Sequence, residues 1–189
     1  MKIEHSPELG RSIRRDGLDS LSDSTWDAVR AAVREGILRG LYRYQAAPEE
    51  MSGSKLRVQL LGSGPILREA LRAQKILAEK YGVAADVWSA TSYSRLRREA
   101  LAAQRWNMLH PAEAPRRSYL EATLAQEQGP FLAVSDYMRM VPEQIARFLS
   151  GRSFTALGTD GMGRSDTREA LRRHFEVDAG HVVVATLAE

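Results

Sequence analysis

The chain contains no cysteine, which excludes a disulfide framework and any thiolate metal site. Histidine is scarce: His5, His110, His174 and His181 are the full set. Their spacing matches no zinc or iron motif, so no metal centre is expected. Long apolar runs are missing too. None approaches the ~20 residues a membrane span needs, and Met1 to Pro7 lack the apolar core of a signal peptide. A cytoplasmic protein without membrane contact is the expectation. The sequence also shows no acid–base pair and no activated nucleophile. Ser63 and Ser165, the serines nearest glycine turns, both lie outside a Gly-x-Ser-x-Gly elbow.

What is present suits a globular domain. The 189 residues are 43% hydrophobic and 27% charged, with a net charge of +3, enough to build one core without staples. Arginines cluster at Arg11, Arg14 and Arg15, at Arg95, Arg97 and Arg98, and at Arg116 and Arg117. Acidic residues are interspersed and no aromatics interleave, so these are read as solvated faces and no nucleic-acid partner is expected.

Residues 1–25 are polar and weakly periodic, and read as a poorly ordered arm. Residues 26–189 then form one α/β domain. Ser24 or Thr25 can cap a leading helix from Trp26, whose stripe is Trp26, Val29, Val33, Ile37 and Leu41. A short strand closes the 26–45 segment, and 46–55 is a loop. Further strands are read at 56–61, 85–90, 131–135 and 154–157. Helices are read from Pro65 to about Tyr81, then at 94–103, 119–126, 142–149 and 167–174. The last segment is open between strand, from Val182, Val183 and Val184, and a helix capped by Asp178. The alternation implies a three-layer α/β fold: a mostly parallel sheet of about five strands with helices on both faces.

Two glycine-rich turns could carry chemistry. Gly62, Ser63 and Gly64 stand between a strand and a helix, where free backbone N–H groups attract anions. The dinucleotide fingerprint fails, because Leu67 replaces its third small residue and Asp86 begins its strand instead of ending it. A tight turn accounts for the glycines. The other reading is an anion pocket shared by Gly62, Ser63, Gly64, Thr159 and Ser165. The second turn holds Gly158, Gly161 and Gly163. Asp166, with Glu169 three residues on, makes a capping-box-like start to the next helix; Asp160, Arg164 and Asp166 could position a substrate, but a loop ion pair and that cap account for them. Trp88, Trp106 and Tyr93 are read as packing residues.

Six stretches are more specific than their physics: Val33-Arg-Glu-Gly-Ile-Leu-Arg-Gly-Leu-Tyr42, Val58-Gln-Leu-Leu-Gly-Ser-Gly64 continuing to Glu69, Arg105-Trp-Asn-Met-Leu-His-Pro111, Ser135-Asp-Tyr-Met138, Gly158-Thr-Asp-Gly-Met-Gly-Arg-Ser-Asp-Thr-Arg168 and Phe175-Glu-Val-Asp-Ala179. In this order they resemble the C-terminal domain of the thiamine diphosphate-dependent first component of pyruvate dehydrogenase (acetyl-transferring), homodimeric type, within the transketolase C-terminal family. The resemblance runs from about Val33 to Glu189 and favours a helix for the last segment. It implies a C-terminal domain or fragment of an enzyme that decarboxylates pyruvate and passes the acetyl group to a lipoyl group.

In that family thiamine diphosphate and magnesium are held by the N-terminal and middle domains. The resemblance therefore implies no catalytic, cofactor or metal residue here, and no cofactor bound by this chain alone. The partners it implies are the remaining domains of the enzyme, a homodimer mate and the lipoyl acyltransferase component. Two other functions stay open: a stand-alone anion-binding module, and a protein-interaction module using the amphipathic leading helix.

Overall fold

The computed structural model describes residues 22–149 and 151–189. Most of the polar arm read at 1–25 lies outside these. The leading helix, α1, spans Asp23–Arg39. Its start corrects the expected cap: Ser22 Oγ accepts the Thr25 N–H at 3.3 Å, so the helix begins three residues before Trp26. The chain divides into two compact units, residues 1–35 and 36–189. Within the first, the α1 stripe stays partly uncovered, with Val29 36% exposed.

The second unit holds the sheet. Its strands are β1 (Leu41–Gln45), β2 (Arg57–Gly62), β3 (Ala84–Ala90), β4 (Phe131–Val134) and β5 (Phe154–Leu157), in the order β1-β3-β2-β4-β5. All neighbours pair in parallel except β1 with β3. The remaining helices are α2 (Leu67–Ile76), α3 (Tyr93–Leu109), α4 (Tyr119–Leu124), α5 (Met140–Glu143), α6 (Arg168–His174) and α7 (Ala179–Leu187). The last segment is a helix, with Asp178 Oδ1 accepting the His181 N–H at 3.0 Å.

Strand alternation sorts the core into two layers. Val58, Leu60, Val87, Leu132 and Val134 face α2 and α7, meeting Ala70, Ala73, Leu77 and Val182. Leu61, Trp88, Phe131 and Ala133 face the other way, against Leu96 and Ala100 of α3, Leu120 and Leu124 of α4, and Ile145 and Phe148. Sheet register is fixed on this second face by a buried polar knot. Trp88 Nε1 donates to Gln59 Oε1 at 2.7 Å, and Gln59 Nε2 donates to Asp86 Oδ2 at 3.2 Å. Burial pushes the Asp86 carboxyl up, but the Ala47 N–H, Arg57 and Gln59 outweigh it and hold the group below its ordinary value.

Two helices differ from expectation. The helix read at 94–103 runs on to Leu109, because the sequence after it builds its own support. Trp106 lies between the Arg116 guanidinium, 3.7 Å from its ring centre, and the stacked His110 ring at 4.4 Å. Asn107 makes both hydrogen bonds to the Arg116 backbone, at 2.7 and 2.9 Å. Conversely, the helix read at 142–149 is α5 plus a separate tight turn at 146–148. Among its buried residues, Pro142, Ile145 and Phe148 recur every three positions, with Leu149 buried beside the last. That period suits i→i+3 bonding, and Ile145 N–H to Pro142 O and Phe148 N–H to Ile145 O follow it.

Candidate functional site

Parallel strands deliver their following loops to one edge of the sheet. Here β2 leads away to β3 on one side while β4 and β5 lie on the other, so the carboxyl ends of β2 and β4 flank a topological switch point, where α/β folds form ligand crevices. A cleft of about 630 Å³ opens there, within the size range of small-molecule sites. Pro65 and Ile66 from the β2 turn, Asp136 after β4 and Thr159 after β5 form its strand-end side. Gly161, Gly163, Arg164 and Asp166 of the glycine loop, Arg168, Leu171 and Arg172 of α6, and Phe175 and Val177 just after it complete the lining.

The glycine loop is pinned at its start only. Thr159 N–H donates to Tyr137 O at 2.9 Å and Thr159 Oγ1 to Asp136 O at 2.8 Å. A Cβ on Gly158 would come within 2.4 Å of Tyr137 O, so this crossing demands glycine. Next, Arg139 donates from its backbone N–H and its Nε to the Asp160 carboxylate. Those hydrogen bonds hold Asp160 below the usual carboxylate range. From residue 160 to residue 166, no backbone N–H finds an acceptor among the described residues.

The five candidate anion residues separate. Thr159 lines the cleft. Gly62 is a packing residue, since a Cβ there would meet Leu67 Cα at 2.8 Å. Gly64 takes a left-handed φ of +52° and its missing side chain points toward Asp136. Ser63 is 2% exposed and its hydroxyl has no hydrogen-bond partner among the described residues. Ser165 is exposed; its neighbours Arg164 and Asp166 line the cleft instead. The expected cap at Asp166 is also displaced. Thr167 Oγ1 accepts the Ala170 N–H, while Asp166 Oδ1 accepts the Thr167 N–H at 2.7 Å. The cap lies one residue later, at Thr167, which has the extended backbone of a helix start.

Sequence reasoning missed the residue that holds the cleft-lining Arg172. Glu69 of α2 is 3% exposed, yet it is fully used. Oε1 accepts from Arg172 at 2.8 Å and Arg72 at 3.0 Å, and Oε2 accepts the Ala179 N–H at 3.1 Å. This clasp joins α2 to the α6–α7 corner. That corner is a Schellman turn: Val177 N–H donates to Arg172 O and Glu176 N–H to Arg173 O. Glu176 occupies its left-handed position, φ +58°. Arg168 was missed as a cleft residue as well, its only signal being proximity to the glycines; Arg164, which the sequence offers as able to position a substrate, lines the cleft.

The family described as transketolase-like TK C-terminal domain matches residues 40–178. The pyruvate dehydrogenase E1 component of Pseudomonas aeruginosa is 46% identical over 160 residues, covering 85% of this chain and 18% of the relative. That of Escherichia coli K12 is 48% identical over 162 residues, covering 86% and 18%. The chain thus spans less than a fifth of the length of these curated relatives, and matches their C-terminal part. Among solved structures, a split-gene transketolase described as an inactive β4 tetramer superposes with a TM-score of 0.53 at 17% identity, covering 78% of this chain and 41% of that one. Leishmania mexicana transketolase gives 0.51 at 19%, covering 82% and 18%. These two likenesses are of fold. No helix among the described residues is long and apolar enough to cross a membrane. By its matched residues and by its sheet of four parallel strands and one antiparallel edge, the chain belongs to the transketolase-like C-terminal domain family.

Proposed function

We propose that this chain serves as the C-terminal domain of a pyruvate dehydrogenase E1 component, supplying packing surface and not reacting groups. The observation that carries this is the 46–48% identity over most of the chain, set beside a site built from caps, clasps and turns. In the parent reaction, pyruvate is decarboxylated and its acetyl group passes to a lipoyl group. Thiamine diphosphate and magnesium supply that chemistry when bound. Among the described residues no three His, Asp or Glu side chains gather to hold a metal ion, so these residues offer no such cluster to the cofactor's magnesium. Its role is to complete the fold and dimer of the polypeptide that holds the cofactor, a homodimer acting in the cytoplasm with a lipoyl acyltransferase component.

A domain exchange tests this. Residues 40–189 are placed in the Escherichia coli pyruvate dehydrogenase E1 component in place of its matching segment. The expected product is a dimer by light scattering that retains pyruvate-dependent activity. A folded chimera that stays monomeric, or a dimer without activity, would refute the assignment.

A further inference from the structure

The cleft at the switch point has features that the packing role leaves unused. Arg164 and Arg168 both line it, and neither has a carboxylate partner among the described residues. Arg164 only approaches His174 Nδ1, at 3.4 Å. Arg172 is different, being tied to Glu69. Beside the two open guanidiniums run the unbonded backbone N–H groups of residues 160–166, and successive N–H groups of this kind form anion-binding concavities. Immediately before the cleft's Pro65 wall lies Ser63, whose buried hydroxyl lacks a partner. A second side of the cleft is apolar: Ile66, Leu171, Phe175 and Val177.

Charge alone does not select the ligand, because Asp136 and Asp166 also line the cleft. Asp166 is occupied at its own backbone, receiving the Thr167 N–H. Asp136 stands after β4, its backbone oxygen accepting from Thr159 Oγ1 at the start of the glycine loop. The guanidiniums and loop donors therefore make one end anion-selective, while the apolar side requires a body that can bury against it. A bare inorganic anion would leave that wall wet. We propose that this cleft binds a small organic phosphate or carboxylate, its anionic group on Arg164, Arg168 and the loop N–H groups, its apolar body on Ile66 and Phe175.

Phenyl phosphate is the probe, titrated into the full chain by calorimetry, with inorganic phosphate in a parallel titration. Saturable binding of phenyl phosphate is expected, roughly 10-fold tighter than inorganic phosphate, the factor that burying one small apolar group supplies. Arg168→Gln, and Arg164→Gln separately, should each weaken phenyl phosphate about 10-fold, as loss of one charge-assisted hydrogen bond does. Both residues are exposed, so thermal midpoints should stay within a degree or two of the parent chain; Arg117→Gln, outside the cleft, should leave affinity unchanged. The proposal is overturned if phenyl phosphate fails to saturate, if it binds no better than inorganic phosphate, or if the Arg164→Gln/Arg168→Gln double variant binds it as well as the parent chain.

Discussion

Removing the Glu69 carboxylate should cost far more than removing an ordinary surface charge. The side chain is 4% exposed and its partner Arg172 16% exposed, whereas Arg72 is 67% exposed. In Glu69→Ala the Arg172 guanidinium keeps its burial and loses its counter-charge, a loss of about 2 kcal/mol for a charge-assisted hydrogen bond. The Ala179 N–H at the α7 start adds about 1 kcal/mol as an unmet donor. Arg72, being solvated, adds less than about 1 kcal/mol. The total of about 3–4 kcal/mol lies within the range for breaking a buried pair from one side. At roughly 2–4 °C per kcal/mol in a domain of this size, Tm should fall by roughly 10 °C.

The assay is urea unfolding followed by far-UV circular dichroism, on Glu69→Ala, Arg172→Ala, Arg72→Ala and the two double variants. Coupling of Glu69 to Arg172 should reach about 2 kcal/mol, and to Arg72 remain under about 0.5 kcal/mol. A loss below about 1 kcal/mol in Glu69→Ala, or equal coupling to both arginines, would refute the clasp.

Three further outcomes follow from other corners of the fold. Glu176→Gly should raise stability by about 0.5–1 kcal/mol in the same assay, since φ +58° costs a non-glycine residue about 1–2 kcal/mol and glycine gives back part of that as chain entropy. Asp86, held below its ordinary value by hydrogen bonds that outweigh burial, binds fewer protons folded than unfolded. Its contribution is thus complete above the unfolded value of about 4 and is lost as pH falls through the folded value; Asp86→Asn should flatten the acid limb of the stability profile below about pH 4. Val33→Glu on the half-exposed α1 stripe should lower the mass measured by light scattering if that stripe joins two copies, and an unchanged mass would assign it to the interior.

How much of this was legible in the sequence depends on the range of the interaction concerned. The β4 strand could be read because Phe131, Leu132, Ala133 and Val134 fill both faces over a short span bounded by turns. The last helix was not decidable from Val182, Val183 and Val184, whose strand propensity is real; the Asp178 cap and burial of Val182 against α2 override it. The tail of α3 was lost because Trp106 and Asn107 are held by Arg116, beyond any helical window. Pro142 to Leu149 misled by composition, since a three-residue burial period can be seen only once the sheet is placed. Glu69 meets Arg172 and Ala179 across more than a hundred residues. No local pattern announces such a contact, although the two diagnostic stretches ending at Glu69 and Ala179 are its two halves. Of the five residues read as a candidate anion pocket, Thr159 alone lines the cleft. The glycines marked the loop, while the groups facing the cleft are the arginines beside them.

We propose that this chain carries the family's fold without the family's cofactor chemistry. Calorimetric titration of the full chain with thiamine diphosphate and magnesium decides between the two. No saturable heat is expected at millimolar cofactor; tight, stoichiometric binding would overturn the proposal.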